Sequence, residues 1–294
     1  MYSIPTKTKC QHKLKTNYKI NYRINRKAKV KAKVNNNSFT IFSAFFQQGF
    51  TIPAIPYIHP IQAGKALANF DLGIEGDNTG INISEWNPNF SELTVAYYIW
   101  KNHTAQQLPF WGLCHYRRYF YSPAYSIPFK REYIFKDHSK AFKKVFTDKT
   151  QKEIETNLLA GKVISPVPYK YIKLKKCSIK IQYIKDHDVA SWNLMEQALL
   201  KLYPDYKDAF NQLSSGITCS WYNMLIASWG FWDGYLHFLF NILLEVKKEL
   251  IPSKDAGQMR IFGNLSERLL NTYLIHHKNH NNLEIHYMPL AKLM

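Results

Sequence analysis

The stretch that most constrains this chain is an apolar run that ends in a cluster of aromatic and cationic side chains. Residues 108–120 read LPFWGLCHYRRYF. The first half predicts a buried β-strand, which ends in the cluster His115, Tyr116, Arg117, Arg118 and Tyr119. Ligands of open α/β sheets bind at the carboxyl ends of strands, and guanidiniums offer planar forks of donors that suit a phosphate. The stretch therefore predicts an α/β fold with a phosphate-binding sheet edge.

The orientation of the two arginines depends on where the strand ends. If the strand continues through residue 118, side chains alternate between its faces, so that His115 is grouped with Arg117 and Tyr116 with Arg118. Only one arginine would then face a cleft. The alternative interpretation is that an arginine at this edge pairs with a carboxylate and holds the sheet edge in place.

Charge is distributed unevenly along the chain. The formal net charge is +18 over 294 residues, and eleven of the 39 lysines and arginines lie within residues 1–37, which contain no acidic residue. This segment has too few apolar side chains to order itself and lacks the apolar core of a secretory signal, so we predict a disordered tail. It could be attracted to anionic lipid headgroups, or it could be a solvated extension or a misassigned start of the chain.

The cysteines and the longest apolar stretch exclude several classes of protein. The four cysteines are widely spaced and form no CxxC pair, which argues against a disulfide framework or a structural zinc site and favours a reducing compartment. Residues 229–244 are interrupted by Asp233, His237 and Asn241, so they predict a long helix within the protein and not a membrane span.

Strand and helix patterns alternate through the rest of the chain. Strands are predicted at 38–46, 162–166 and 217–228, and helices at 87–102 and about 231–250. The helix at 87 has Asn87 at its cap and Pro88 in its first turn. This alternation predicts an α/β sandwich on a mostly parallel sheet, with residues 38–294 as a single domain after the basic tail.

Two further stretches carry local signals. Thr150-x-x-Glu153 has the pattern of a capping box that opens a short helix. Residues 170–185 contain six lysines and no acid, which could form a mobile flap or an edge hairpin whose lysines prevent aggregation. The hairpin is the favoured interpretation.

Six segments between about residues 55 and 280 form a recognisable series: HPIQAG, DNTGINIS, NPNFSELTVAYYIWKN, GLCHYRRYF, YNMLIA and LSERLL. In their order and spacing they resemble one bacterial glycosyltransferase family. Its members act in capsule, exopolysaccharide and lipopolysaccharide synthesis, and some are galactofuranosyltransferases. The resemblance implies a GT-A-like (Rossmann-like) nucleotide-sugar-binding domain. The chain departs from the family at residues 45–48, which read FFQQ where a Thr-His-Lys-like strand end is usual.

The resemblance and the residues together suggest how the donor would be bound. In many GT-A enzymes an Asp-x-Asp motif holds a metal ion at the position that residues 115–118 occupy here without a carboxylate. We therefore expect Arg117 and Arg118 to neutralise the leaving diphosphate with no metal or other cofactor, helped by His115 and Tyr116. The glycine-rich loop adds four candidates for binding the sugar or ribose, although such residues beside glycine also make ordinary Asx turns: Asp77, Asn78, Asn82 and Ser84.

An inverting transfer also needs a base and an acceptor site. Glu267 in LSERLL is the first choice for the base, although Asn264-x-x-Glu267 also resembles a capping box. Asp188 is the alternative base. For the acceptor, the sequence suggests three residues: Tyr222, Asn223 and His187.

Two groups of residues have mainly structural interpretations. Glu92 near its helix start favours the helix dipole. Trp221, Trp229 and Trp232 could stack on a sugar ring, but core packing is the favoured interpretation.

The predicted function is transfer of a sugar, galactofuranose or another hexose, from a UDP-linked donor to a glycan or lipid-linked oligosaccharide. The location expected from the family and the basic tail is the cytoplasmic face of the plasma membrane. The high positive charge makes a nucleic-acid-binding protein the main alternative. Most of the excess charge lies in the tail, however, and no nucleic-acid-binding module is recognisable. No nucleic-acid partner is therefore expected. The altered 45–48 segment suggests a third possibility, a non-catalytic sugar-binding relative.

Overall fold

The structure is a computed structural model that describes residues 38–125, 127, 130–170, 177–252 and 259–294. The predicted disordered tail at 1–37 lies outside the described residues, as do residues 171–176 of the lysine-rich stretch. The described residues from Ser38 to Met294 belong to one compact unit.

Twelve strands and nine α-helices are defined in the described part of the chain. The strands are β1 (Thr40–Phe45), β2 (Ile58–Gln62), β3 (Glu75–Gly76), β4 (Phe110–His115), β5 (Arg118–Phe120), β6 (Glu132–Phe135), β7 (Val163–Pro166), β8 (Tyr169–Lys170), β9 (Thr218–Cys219), β10 (Leu225–Ser228), β11 (Ile285–Met288) and β12 (Leu290–Leu293). The helices are α1 (Asn87–Phe90), α2 (Leu93–Asn102), α3 (His138–Val145), α4 (Asp148–Leu159), α5 (Ile179–Asp186), α6 (Val189–Leu202), α7 (Lys207–Ser215), α8 (Trp229–Lys247) and α9 (Ile261–Asn281).

Ten of these strands form one mixed sheet whose main path is mostly parallel. The order is β11-β7-β10-β4-β1-β2-β3, and β5, β6 and β12 extend it from the end of β4. β4 pairs parallel with β1, and β1 with β2, while β10 runs antiparallel between β4 and β7. β8 and β9 form a separate two-stranded ribbon. The predicted α/β class and mostly parallel central sheet are confirmed.

Alternation along the central strands divides the core into two layers. Trp111 and Leu113 of β4 face a large cluster formed with α2, α6, α8 and α9, whereas Cys114 faces a smaller cluster formed with α3 and α4. In the larger layer, Trp111 and Trp232 stack with ring centroids 4.1 Å apart, and the Trp232 indole N–H donates to the Trp111 carbonyl. Core packing is therefore the role of Trp232, as favoured from the sequence.

The helix predicted from Asn87 is broken into two. Pro88 lies in the first turn as expected, but α1 ends at Phe90 because Ser91 adopts the left-handed region with φ 52°. The Asn87 side chain donates to the Ser91 carbonyl across this break. The break turns the chain so that Glu92, just before α2, points into the protein, where its side chain is buried.

Three other local predictions need correction. The helix expected to open at Thr150 begins at Asp148, because Thr147 is the cap and accepts from the Thr150 N–H. The 217–228 strand is interrupted by a turn between β9 and β10. In the lysine-rich stretch, β8 ends at Lys170 and residues 179–186 form helix α5, capped by Ser178, so the edge-hairpin interpretation fails for this second half.

Candidate functional site

The two arginines lie at a tight hairpin. β4 ends at His115, Tyr116 and Arg117 form the turn, and Arg118 begins β5 opposite His115. The chain thus reverses direction, and the continuous strand that would have turned only one arginine to the cleft does not form. Both arginines line one cavity of about 230 Å³, called here the arginine cavity, together with His115 and Tyr116.

Arg118 and Arg117 nevertheless have different surroundings. The Arg118 Nε is 3.4 Å from a Glu132 carboxylate oxygen, and its guanidinium lies 4.0 Å from the centre of the Tyr222 ring. This matches the alternative in which an edge arginine pairs with a carboxylate. The Arg117 Nε–H is buried without a hydrogen-bond acceptor, and Arg117 takes part in none of the ion pairs formed among the described residues.

The unpaired Nε–H of Arg117 indicates the chemistry of the cavity, although the guanidinium also lies 5.5 Å from the centre of the Tyr116 ring. A buried donor that carries charge and lacks a partner costs free energy until an acceptor arrives. Arg117 is therefore the group in the arginine cavity best prepared to bind an anion. The Arg118 guanidinium, in contrast, is already held by Glu132 and Tyr222.

A strained turn contributes Tyr222 to the wall of the arginine cavity. Tyr222 and Asn223 both have left-handed backbone, with φ 78° and 52°, an arrangement that costs on the order of 1–3 kcal/mol per residue and clusters at functional sites. The Tyr222 carbonyl accepts from His115 Nε2 at 2.5 Å, and its N–H donates to Glu267 Oε1 at 2.7 Å. Burial lowers the pKa of His115, so a neutral imidazole makes this contact.

Glu267 lies in the second turn of α9 and faces the arginine cavity. Because α9 already begins at Ile261, the capping-box interpretation of Asn264 and Glu267 is wrong. Burial raises the pKa of the Glu267 carboxyl, whereas the adjacent Arg268, 2.9 Å away, and the Tyr222 N–H act in the opposite direction. A carboxylate with a raised pKa is suited to accept a proton near neutral pH.

A second cavity of about 350 Å³ adjoins the first. The two share Tyr222, Asn264 and Glu267, so the Glu267 carboxylate lies in their common wall. Trp221 and His187 line the second cavity. The predicted acceptor residues Tyr222 and His187 are thus brought together, and Trp221 lies beside them.

Asn223 has a different position. Its side chain is buried, where the amide donates to Glu92 at 2.7 Å and to the Gly263 carbonyl, and it does not line either cavity. The geometry therefore gives Asn223 a role in holding the turn, and not the direct acceptor contact that was predicted.

The glycine-rich loop is organised around Asp77 and does not line either cavity. The buried Asp77 carboxylate accepts from the backbone N–H groups of Gly64 and Lys65 and from the hydroxyls of Ser84 and Thr94. Each oxygen of the carboxylate thus already accepts two hydrogen bonds. The geometry therefore does not support contact of Asp77 or Ser84 with the sugar of the nucleotide-sugar donor.

The neighbouring asparagines of this loop lie at its surface. The Asn82 side chain accepts from the Ser84 N–H and donates to the Thr79 and Gly80 carbonyls, as in the Asx-turn alternative. Asn78 is exposed in the adjacent turn. A nucleotide-sugar contact of either residue stays a prediction.

Asp188 caps a helix. Its carboxylate accepts from the Ala190 N–H at the start of α6, and it does not line either cavity. This is an ordinary structural role for aspartate before a helix. Among the two candidate bases, only Glu267 lines the arginine cavity.

Arg260 was missed by the sequence reasoning. It precedes α9 and lines the arginine cavity, where its Nε–H donates to Ser91 Oγ at 2.8 Å and its Nη2 is 3.4 Å from the Glu92 carboxylate. No sequence motif around Arg260 indicates a binding role. Only the fold brings the start of α9, and with it Arg260, next to the break after α1. The arginine cavity thus has three guanidiniums in its wall.

The described residues include no group of three histidine, cysteine, aspartate or glutamate side chains placed to hold a metal ion. No helix in the described ranges combines the length and apolarity that crossing a membrane requires.

Comparison with known proteins agrees with this architecture. The model of a family described as a domain of unknown function, DUF4422, matches residues 41–279. The chain belongs to this family. No curated protein matches it.

A solved structure, the apo structure of the WbbM bifunctional glycosyltransferase, is similar to this DUF4422 chain with a TM-score of 0.76 at 22% sequence identity. The match covers 87% of this chain and 45% of the WbbM chain, so the chain spans less than half of that protein's length. The likeness confirms the predicted GT-A-like fold.

Proposed function

We propose that this DUF4422 protein is a glycosyltransferase that uses a nucleotide-sugar donor. The fold it shares with the WbbM structure supports the class of enzyme. The observation that carries the proposal is the half-buried Arg117, whose buried Nε–H has no hydrogen-bond acceptor in the described chain, at the carboxyl end of central strand β4.

The arginine cavity would bind the donor diphosphate. As the bond between the sugar C1 and the diphosphate breaks, negative charge grows on the leaving group, and Arg117 would neutralise it. Unit charges about 4 Å apart at an effective dielectric of about 20 attract by roughly 4 kcal/mol before desolvation is subtracted. Arginine would thus act here without a metal ion, as expected from the sequence.

Glu267 would act as the base of an inverting reaction. An acceptor hydroxyl in the second cavity attacks C1 from the side opposite the diphosphate, its proton passes to the Glu267 carboxylate, and the nucleoside diphosphate leaves. The position of Glu267 between the two cavities supports this assignment, because one carboxylate can then face both substrates. The acceptor ring would lie against Tyr222 and His187.

The finer assignments are also proposals. A UDP-linked hexose or galactofuranose would be the donor, and a growing surface glycan or lipid-linked oligosaccharide the acceptor. Residues 1–37 would hold the enzyme at the inner face of the plasma membrane by attraction of their eleven basic side chains to anionic lipid.

The first test is donor turnover in the presence of a chelator. We expect the wild-type chain to transfer or hydrolyse a UDP-sugar in EDTA, and Arg117→Ala to slow turnover by about 10²–10³. For donor hydrolysis Arg131→Ala is the matched control, since Arg131 does not line the arginine cavity and lies over Tyr169, a residue of the second cavity. Activity that requires added manganese, or full activity of Arg117→Ala, would contradict the proposal.

A non-catalytic sugar-binding protein is the second candidate. The observation that favours it is the departure from the family at the end of β1. There the Phe46 ring lines the arginine cavity in place of the usual Thr-His-Lys-like strand end. Such a protein would bind UDP-sugars in a thermal-shift assay but would not hydrolyse or transfer them over a panel of acceptors.

A further inference from the structure

The Glu92 carboxylate occupies an unusual position for an acidic residue. Its side chain is 6% exposed, and it lines the arginine cavity. An acidic residue interacts favourably with a helix N-terminus at the surface as well, so the dipole does not require this burial. Burying a carboxylate is costly unless strong partners surround it, so its partners indicate what its burial achieves.

Both partners of Glu92 belong to other parts of the candidate site. Glu92 Oε1 accepts from the Asn223 amide at 2.7 Å, and Oε2 lies 3.4 Å from Arg260 Nη2. One carboxylate therefore connects the left-handed turn beside β10 with the start of α9. The break at Ser91 makes this possible, and Ser91 Oγ accepts from the Arg260 Nε–H at 2.8 Å.

The contacts with Glu92 and Ser91 restrict the conformation of the Arg260 side chain. Its side chain is 52% exposed, so without anchors it would sample many rotamers in water. Glu92 and Ser91 each hold one edge of its guanidinium, which leaves the remaining N–H groups for another acceptor. A side chain ordered before binding loses less entropy when a ligand arrives.

We propose that Glu92 is a positioning residue that holds Arg260 at the arginine cavity as a second diphosphate-binding group beside Arg117. This inference rests on the proposed function, because it assigns the cavity to a diphosphate. Arg117 would bind one phosphate and Arg260 the other, while Glu92 would contribute to diphosphate binding through its contact with Arg260.

The test is a double-mutant cycle with the full-length chain. Calorimetry measures the affinity of each variant for inorganic pyrophosphate and for UDP. Glu92→Gln keeps the shape and an acceptor for Asn223 but removes the charge that holds Arg260. We expect Glu92→Gln to weaken binding by about 3- to 10-fold and Arg260→Ala by about 10-fold. The double variant should bind no more weakly than Arg260→Ala alone.

Controls separate positioning from stability. Glu85→Gln changes an exposed glutamate on the short 3₁₀ helix Ser84–Trp86 and should leave both affinities unchanged. If Glu92→Gln does not fold, Ser91→Ala removes the other anchor and should weaken binding in the wild-type background but not beside Arg260→Ala. Steady-state kinetics provide a further control. Glu92→Gln should raise the KM for the donor more than it lowers kcat.

Two outcomes would overturn the inference. One is unchanged pyrophosphate affinity in a folded Glu92→Gln variant, and the other is an additive loss in the double variant. Unchanged affinity in Arg117→Ala would instead contradict the phosphate site of the proposed function, so the two failures can be told apart.

Discussion

At the scale of single residues, neighbours and not residue type decide the roles of Arg117 and Arg118. The two are adjacent and chemically identical, but Arg118 is held by Glu132 and the Tyr222 ring, while Arg117 has a buried Nε–H without an acceptor in the described ranges. Glu132 lies on β6, which reaches Arg118 only through β12. The difference between the two arginines therefore depends on tertiary contacts.

Glu267→Gln tests the proposed base. We expect kcat to fall by about 10²–10⁴, because the amide cannot accept the proton, while UDP affinity stays nearly unchanged, since the diphosphate meets other groups. Glu153→Gln is the matched control, as Glu153 is also half-buried and paired, with His286 at 2.8 Å, outside both cavities. A Glu267→Gln variant with wild-type kcat would exclude this carboxylate as the base.

The pH profile provides a separate test of Glu267. An ordinary glutamate has a pKa of about 4.3, and burial raises the pKa of Glu267 above its usual value. On acidification, Glu267 therefore loses the carboxylate form that accepts the proton at a higher pH than an ordinary glutamate does. We expect the acid limb of log kcat/KM against pH to lie above that value. An acid limb at or below pH 4 would mean that the titrating group is not Glu267.

At the scale of elements, the site is made by two interruptions of strands. The hairpin turn at the end of β4 presents Arg117, and the left-handed turn between β9 and β10 presents the backbone of Tyr222 to His115 and Glu267. These turns meet because β10 pairs antiparallel with β4, with Leu225 opposite Leu113. The pairing of β4 with β10 therefore controls the geometry of the arginine cavity.

Gly112 provides a test of this pairing. A Cβ at Gly112 would lie 2.7 Å from Ile226 Cγ1 and 3.0 Å from the Leu225 carbonyl oxygen, so Gly112→Ala must push β10 away from β4. We expect a loss of about 1–3 kcal/mol in the free energy of unfolding, measured with urea. Gly230→Ala in α8, where a Cβ meets no atom within 4 Å beyond its chain neighbours and the adjacent helix backbone, should gain up to about 1 kcal/mol. Equal effects of the two substitutions would contradict the close approach of the strands.

At the scale of the whole molecule, helices cover both faces of the sheet and form layers of unequal size. The larger layer buries α8 and most of α9 against Trp111 and Leu113, and it holds α9 so that Glu267 and Arg260 face the sheet edge. Near the other end of α9, burial and the nearby His276 and His280 lower the pKa of His277 to about 4. Acid should therefore weaken the packing that positions the site.

His277 predicts how stability depends on pH. A histidine with a lowered pKa contributes stability above its unfolded pKa of about 6.5, and this contribution is lost as the pH falls toward 4. We expect up to about 3 kcal/mol of the free energy of unfolding to be lost over this range through His277. His277→Gln should reduce the slope of stability against pH, measured by urea unfolding at pH 7, 5.5 and 4.5. Parallel slopes for wild type and variant would contradict the assignment.

The sequence alone was enough for the features that depend on local pattern. The apolar run before His115 and the loop residues around Asp77 could both be recognised, because burial and turn chemistry are properties of neighbouring residues. The resemblance of six segments then predicted the GT-A-like fold, which the comparison with WbbM confirms.

Only the tertiary structure decided which of these residues meet. Asp77 and Asp188 carry the same charges as Glu267, but contacts within the loop and at the α6 cap occupy them, whereas α9 brings Glu267 between two cavities. Arg260 and Glu92 are separated by most of the chain, and no local pattern links them. Ion pairs and cavities depend on distances across the fold, and these are set by packing that involves the whole core.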